Sequence, residues 1–104
     1  MERKKEMDVI FDNEGARLLM QAIVRTDNLD DCKKLLEDLM SYKEIIDMSQ
    51  RMEVVKLLRQ NMPYTEICEK TGASTATISR VNKCYVYGNG GYKKVFDKIE
   101  NNKK

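Results

Sequence analysis

An all-α fold is predicted by three features of the sequence. Apolar residues recur in steps of three and four over most of the chain, the spacing of one helix face. Turn residues are scarce: there is one proline, and four of the five glycines lie at residue 72 or later, whereas all-β folds need frequent turn signals. The composition, 41% hydrophobic and 35% charged over 104 residues, suits soluble helices with solvated faces and is far from disorder or a fibrous repeat. A chain of this length forms a domain without a metal or disulfides to hold it.

The elements follow in order. Residues 1–10 are mostly charged and are expected to fray. Asp12 or Asn13 then caps a helix running to about Arg25, with Ala16, Leu18, Leu19, Ala22 and Ile23 as its apolar positions. Thr26, Asp27 and Asn28 form a turn-and-cap cluster. The next stripe reads Leu29, Cys32, Leu35, Leu36, Leu39, Met40, and its first turn holds Asp30 and Asp31, where the helix dipole favours anions. Ser41-Tyr42-Lys43 interrupts the pattern. A third stripe, Ile45, Met48, Met52, Val55, Leu58, Met62, with Val54 and Leu57 adjoining, predicts a helix of four turns or more, broken before Pro63. These three helices offer more apolar surface than one small core needs, which points to a partner surface, most simply a homodimer.

Residues 63–84 read PYTEICEKTGASTATISRVNKC. Gly72 stands where a first helix must end with positive φ, and Ser74 is a good N-cap for a second helix beginning at Thr75. Cys68 supplies the small side chain needed where two helices cross closely. Ile67, Ala73, Ile78 and Val81 then face inward. These are the requirements of a helix-turn-helix over about residues 64–83. Thr75, Ala76, Thr77, Ser79 and Arg80 remain outward. Hydroxyl-bearing residues are mediocre helix formers, so propensity alone does not account for Thr71, Ser74, Thr75, Thr77 and Ser79 within so short a stretch. Small polar side chains do suit an element lying in a DNA major groove, where hydroxyls bond base edges or phosphates and methyls touch thymine. Charge agrees: residues 1–48 carry 8 Lys and Arg against 12 Asp and Glu, and residues 49–104 carry 11 against 5, so the second half faces a polyanion.

Beyond the corner, Gly88-Asn89-Gly90-Gly91 must turn. Tyr92 to Ile99 then predicts a closing helix with Val95, Phe96 and Ile99 inward and Lys93, Lys94 and Lys98 outward. Tyr85, Tyr87 and Tyr92 read as packing residues with wet hydroxyls. Residues 101–104 form a basic tail.

Enzymatic chemistry finds no foothold. With no histidine there is no Ser/His or Cys/His pair and no His-ligated metal. Cys32, Cys68 and Cys84 lack C-x-x-C spacing and read as buried small hydrophobes. No phosphate-binding glycine loop is present. Catalytic residues, metal and cofactor are therefore all expected to be absent. No apolar run exceeds four residues, and the start MERKKEMD lacks the apolar stretch of a signal peptide. No membrane span and a cytoplasmic location are expected.

GASTATISR, preceded by PYTEICEKT and followed by VNKCYVYGNGGY, resembles the Trp-repressor superfamily, in particular its YerC/YecD-type branch. SQRMEVVKLLRQNMP and the final Gly-Gly-Tyr segment follow the family order, and the resemblance covers about residues 12–100. It implies an all-α, Trp-repressor-like domain over residues 11–100 that forms an intertwined homodimer with two projecting reading heads. By position, Thr75, Ala76 and Ser79 match base-facing residues, Thr65 and Cys68 lie near the DNA backbone or reading head, and Thr77 and Arg80 lie near the corepressor pocket of the tryptophan-binding member. With Ser74 and Lys83, these make up the expected DNA-facing set. The indole of that member lies between two arginines and against a glycine. Here Arg80 matches one arginine, Gln50 (or Arg51, one residue on) falls at the other, and Val81 replaces the glycine. Gln50, Arg51 and Arg80 are thus the effector candidates, and tryptophan is not the expected effector.

The function expected is a dimeric, sequence-specific double-stranded DNA-binding regulator, a repressor reading a palindromic operator. The alternative is a dimeric adaptor whose corner meets protein instead of DNA.

Overall fold

The computed structural model describes residues 2–102. All regular structure among them is helical, in seven helices: α1 (Glu2–Phe11), α2 (Glu14–Arg25), α3 (Leu29–Leu39), α4 (Tyr42–Arg59), α5 (Tyr64–Thr71), α6 (Thr75–Tyr87) and α7 (Gly91–Asn102). The all-α class is as predicted. The chain groups into two compact units that meet at the Ser41–Tyr42 break, with α1–α3 in the first and α4–α7 in the second.

In the first unit, residues 2–11 correct the expected fraying: they form α1, which packs on α2. Its Glu, Arg, Lys and Met are strong helix formers even in water. The apolar Met7, Val9, Ile10 and Phe11 bunch at its end instead of repeating along one face, so periodicity does not reveal it. Helices α2 and α3 begin as their caps predict. Asn13 Oδ1 accepts from the Ala16 amide at 3.0 Å, and Asn28 Oδ1 accepts from the Asp31 amide at 2.8 Å. Both helices are strongly one-sided, yet neither holds a buried residue. Their apolar faces are uncovered: Leu18 is 59% exposed, Ile23 51% and Leu29 88%.

The second unit has a closed core. Val54 and Val55 of α4, Ile67 of α5, Ala73 of the turn, Ile78 and Val81 of α6 and Phe96 of α7 are all buried. Leu57, Leu58, Met62, Cys68, Tyr85 and Tyr92 pack around them. The buried side of α4 is set by the Val54–Val55 pair, while Met48 and Met52 of the predicted stripe are exposed. On α7 only Phe96 of the three predicted inward residues is buried; Val95 and Ile99 stay largely exposed. Helix α4 ends with Asn61 at φ 59°, its amide bonding the Leu58 carbonyl and the Met62 amide the Leu57 carbonyl. This is a left-handed C-terminal cap, and Pro63 forbids continuation.

Arg59 joins the end of α4 to α6 and α7. Its guanidinium bonds Glu100 at 2.7 and 3.0 Å, Asp97 at 2.8 Å and the Tyr85 hydroxyl at 3.4 Å, and lies over the Phe96 ring. Its hydrogen bonds to the carboxylates of Glu100 first, then Asp97, raise its already high pKa, so it is held as a cation. The predicted basic tail is helical through Asn102, and Lys103 and Lys104 lie outside the described residues.

Candidate nucleic-acid interface

The corner is built from short-range rules. Pro63 precedes α5 with φ −63°, and its carbonyl accepts the Ile67 amide, starting the helix. Ile67 is fully buried and anchors α5. Gly72 ends it at φ 75°, its amide bonded to the Cys68 carbonyl at 2.9 Å. The Thr71 hydroxyl donates to the Ile67 carbonyl at 2.7 Å and accepts from the Ala73 amide at 3.1 Å, bracing the turn. Ser74 then starts α6. Its Oγ accepts from the Thr77 amide and donates to Thr77 Oγ1, both at 3.1 Å. Ile78 and Val81 turn into the core one helical step apart.

The outer edge of α6 is what this geometry leaves over. Thr75, Ala76, Ser79, Arg80 and Lys83 are exposed, as is Thr65 on α5. Among the described residues, the side chains of Thr75 and Ser79 make no hydrogen bond within the chain, so both hydroxyls are available to a partner. Three of the expected residues sit differently: Ser74 is exposed, but its hydroxyl is committed to the cap as both donor and acceptor. Thr77 is half-buried and committed to the cap through Ser74, and Cys68 is half-buried against the core. Neither presents an outward polar group as Thr75 does.

The electrostatics favour an anion on α6. It carries Arg80 and Lys83, has no acidic residue, and has none in its first turn, where the dipole leaves partial positive charge. Helix α5 carries Glu66 and Glu69 beside Lys70, so of the two corner helices α6 has the cationic edge.

The effector candidates do not share a common setting. Arg80 is exposed on α6, and Arg51 is exposed on α4 with its guanidinium 3.6 Å from Met48 Sδ. Gln50 is half-buried, and its amide donates to the Thr71 carbonyl at 3.1 Å. Val81, in the place of the expected glycine, is 5% exposed and fills core space. The bracing role of Gln50 is not legible in the sequence, since its contact with the Thr71 carbonyl spans 21 residues and belongs to no local motif. Among the described residues there is no group of three or more His, Cys, Asp or Glu placed to hold a metal. No described helix is long and apolar enough to cross a membrane.

Two helices meeting at a glycine turn, with the second capped and open along its outer edge, define a helix-turn-helix protein of all-α build. Known proteins narrow the class. The family described as "Trp repressor protein" matches residues 14–100, leaving α1 outside the match. Protein YerC of Bacillus subtilis (strain 168) is 38% identical over 98 residues, covering 94% of this chain and 86% of that protein. The Trp operon repressor homolog of Xylella fastidiosa (strain 9a5c) is 31% identical over 64 residues, covering 61% and 70%. The crystal structure of a TrpR-like protein from Eubacterium eligens ATCC 27750 superposes with a TM-score of 0.82 at 46% identity, covering 86% of this chain and 93% of that one. The chain belongs to the Trp repressor family, as the GASTATISR stretch and its flanks led us to expect.

Proposed function

We propose that the protein is a homodimeric regulator of transcription that reads double-stranded DNA through α6 and represses by occluding a palindromic operator. The observation that carries this reading is the exposed edge of Thr75, Ala76, Ser79 and Arg80 on a capped helix without a carboxylate. Hydroxyls and methyls read base edges, and Arg80 and Lys83 neutralise phosphates. Ser74 directly precedes that edge, and Thr65 is exposed on α5. Family membership supports it, as does the printed name of the Xylella relative, a Trp operon repressor homolog. The uncovered faces of α2 and α3 support the dimer. The reading needs no catalytic group, metal or cofactor and acts in the cytoplasm. The reading does not call on tryptophan as effector: by resemblance Gln50, or Arg51 one residue on, falls at one arginine of an indole site, and Val81 fills the place of its glycine.

The test is selection from a random duplex pool with the purified protein, followed by shift assays over salt. An enriched palindrome with half-sites about 34 Å apart is expected. Affinity should fall linearly on a log–log plot as salt rises, because phosphate neutralisation releases counterions. Equal affinity for enriched and scrambled duplexes overturns the reading. The adaptor alternative draws on the same uncovered apolar faces. Recovery of one protein partner after nuclease treatment, with no duplex shifted, would select it.

A further inference from the structure

Helix ends leave carbonyls without partners in their own helix. Thr71 is the last residue of α5, and its carbonyl is met by Gln50 from α4, whose Nε2–H donates at 3.1 Å in a half-buried setting. A carbonyl only accepts, so the amide must turn its nitrogen toward Thr71. Further along α4, Val54 and Val55 are fully buried in one cluster with Ile67 and Ile78 of the corner. At the far end, Arg59 reaches Tyr85 of α6 and the carboxylates of α7. Helix α4 is thus fastened to the corner by a polar tie near its middle, apolar packing beyond it and an ion cluster at its end. Gln50 is the polar tie that acts on the turn itself, one residue before Gly72 reverses the chain.

We propose that Gln50 is the positioning residue of the corner: its amide binds the end of α5 to α4 and so sets the direction of α6 from within the chain, leaving the reading edge formed without a small-molecule co-ligand. The consequence for DNA rests on the function proposed above; the tie itself does not.

The test uses the full-length protein and two variants. Gln50→Leu keeps apolar bulk without a donor, and Gln50→Lys restores an N–H donor on a flexible stem. Amide hydrogen exchange is followed residue by residue, and affinity is measured for the wild-type-selected duplex and a scrambled one. In Gln50→Leu, exchange over residues 72–79 should quicken by about fivefold, the population change of one net hydrogen bond, with the middle of α4 unaffected. The ratio of selected to scrambled affinity should fall by a similar factor, while Gln50→Lys returns both to wild-type values. Added L-tryptophan should leave wild-type affinity unchanged. Wild-type exchange in Gln50→Leu, a rise spread evenly over α4–α7, or no rescue by lysine overturns the tie. Tryptophan-dependent affinity overturns the claim that no co-ligand is needed. If no duplex is selected at all, the DNA reading falls and the exchange data still judge the tie.

Discussion

Thr75 and Ile78 sit three residues apart on α6 and do opposite work. Thr75 is exposed and makes no hydrogen bond within the chain, whereas Ile78 is fully buried. Substitution should separate binding from folding. Thr75→Glu sets a carboxylate against phosphates and acceptor base edges, so affinity for the selected duplex should drop roughly 10- to 100-fold, the scale of one good base contact. Its melting temperature should not fall, because the Thr75 side chain is exposed and makes no hydrogen bond within the chain, and a carboxylate in the first turn of a helix is favourable. Ile78→Ala removes three buried carbons between α4 and α5 and should cost about 2–5 kcal/mol of unfolding free energy in a denaturant titration. Equal loss of stability in both variants would mean that the edge of α6 is not free. Gln50 and Arg59 mark the limit of residue-level reading. Each acts on partners 21 to 41 residues away, and patterns of three and four along the chain cannot register such contacts.

At the scale of elements, the turns were the most legible feature. Ser74 caps α6 as assigned, Asn13 is the one of the Asp12–Asn13 pair that caps α2, Asn28 is the one of the Thr26-Asp27-Asn28 cluster that caps α3, and Gly72 adopts the left-handed conformation its place required. These features depend on one residue and its immediate neighbours, so the sequence carries the whole cause. Helix faces were less legible. Val95 and Ile99 share the period of Phe96 yet stay exposed, because periodicity identifies an apolar side without saying what covers it. Helix α1 escaped notice because its stability comes from propensity and packing on α2, with no stripe to mark it. Two glycine substitutions test the turn logic. Gly72 has φ 75° with open space where a side chain would begin, so Gly72→Ala should cost only the left-handed penalty, about 1–2 kcal/mol. At Gly88 an added Cβ would collide with the Cys84 carbonyl oxygen in the last turn of α6. Gly88→Ala must unwind that turn, so its loss in denaturant midpoint should exceed that of Gly72→Ala. The reverse order would show that the corner, not the α6–α7 turn, is the tighter joint.

The whole molecule poses a problem of uncovered surface. The second unit closes a core around Val54, Val55, Ile67, Ile78 and Phe96 within one chain, while α2 and α3 bury nothing and leave Leu18, Ile23, Leu29 and Leu39 more than half exposed. Fully burying such a side chain contributes ~1.5–3 kcal/mol, so several of them on adjoining helices supply a strong drive to associate. Isolated helices of this length are marginal in water, and their stability comes from covering the apolar face. A second copy of the same chain offers an identical face, which a two-fold axis matches to itself. Folding and association should therefore be linked, and the melting temperature should rise with protein concentration over the micromolar range. Ile23→Glu places a charge on the apolar face of α2, in its last turn, where burial without a partner is costly. That variant should sediment as a monomer, melt earlier and lose the concentration dependence. It should also lose binding to a two-half-site duplex far more than to a single half-site, because the two reading edges would no longer be held one helical turn apart. A wild-type protein that sediments as a monomer with a concentration-independent melt would remove the geometric basis for a palindromic operator.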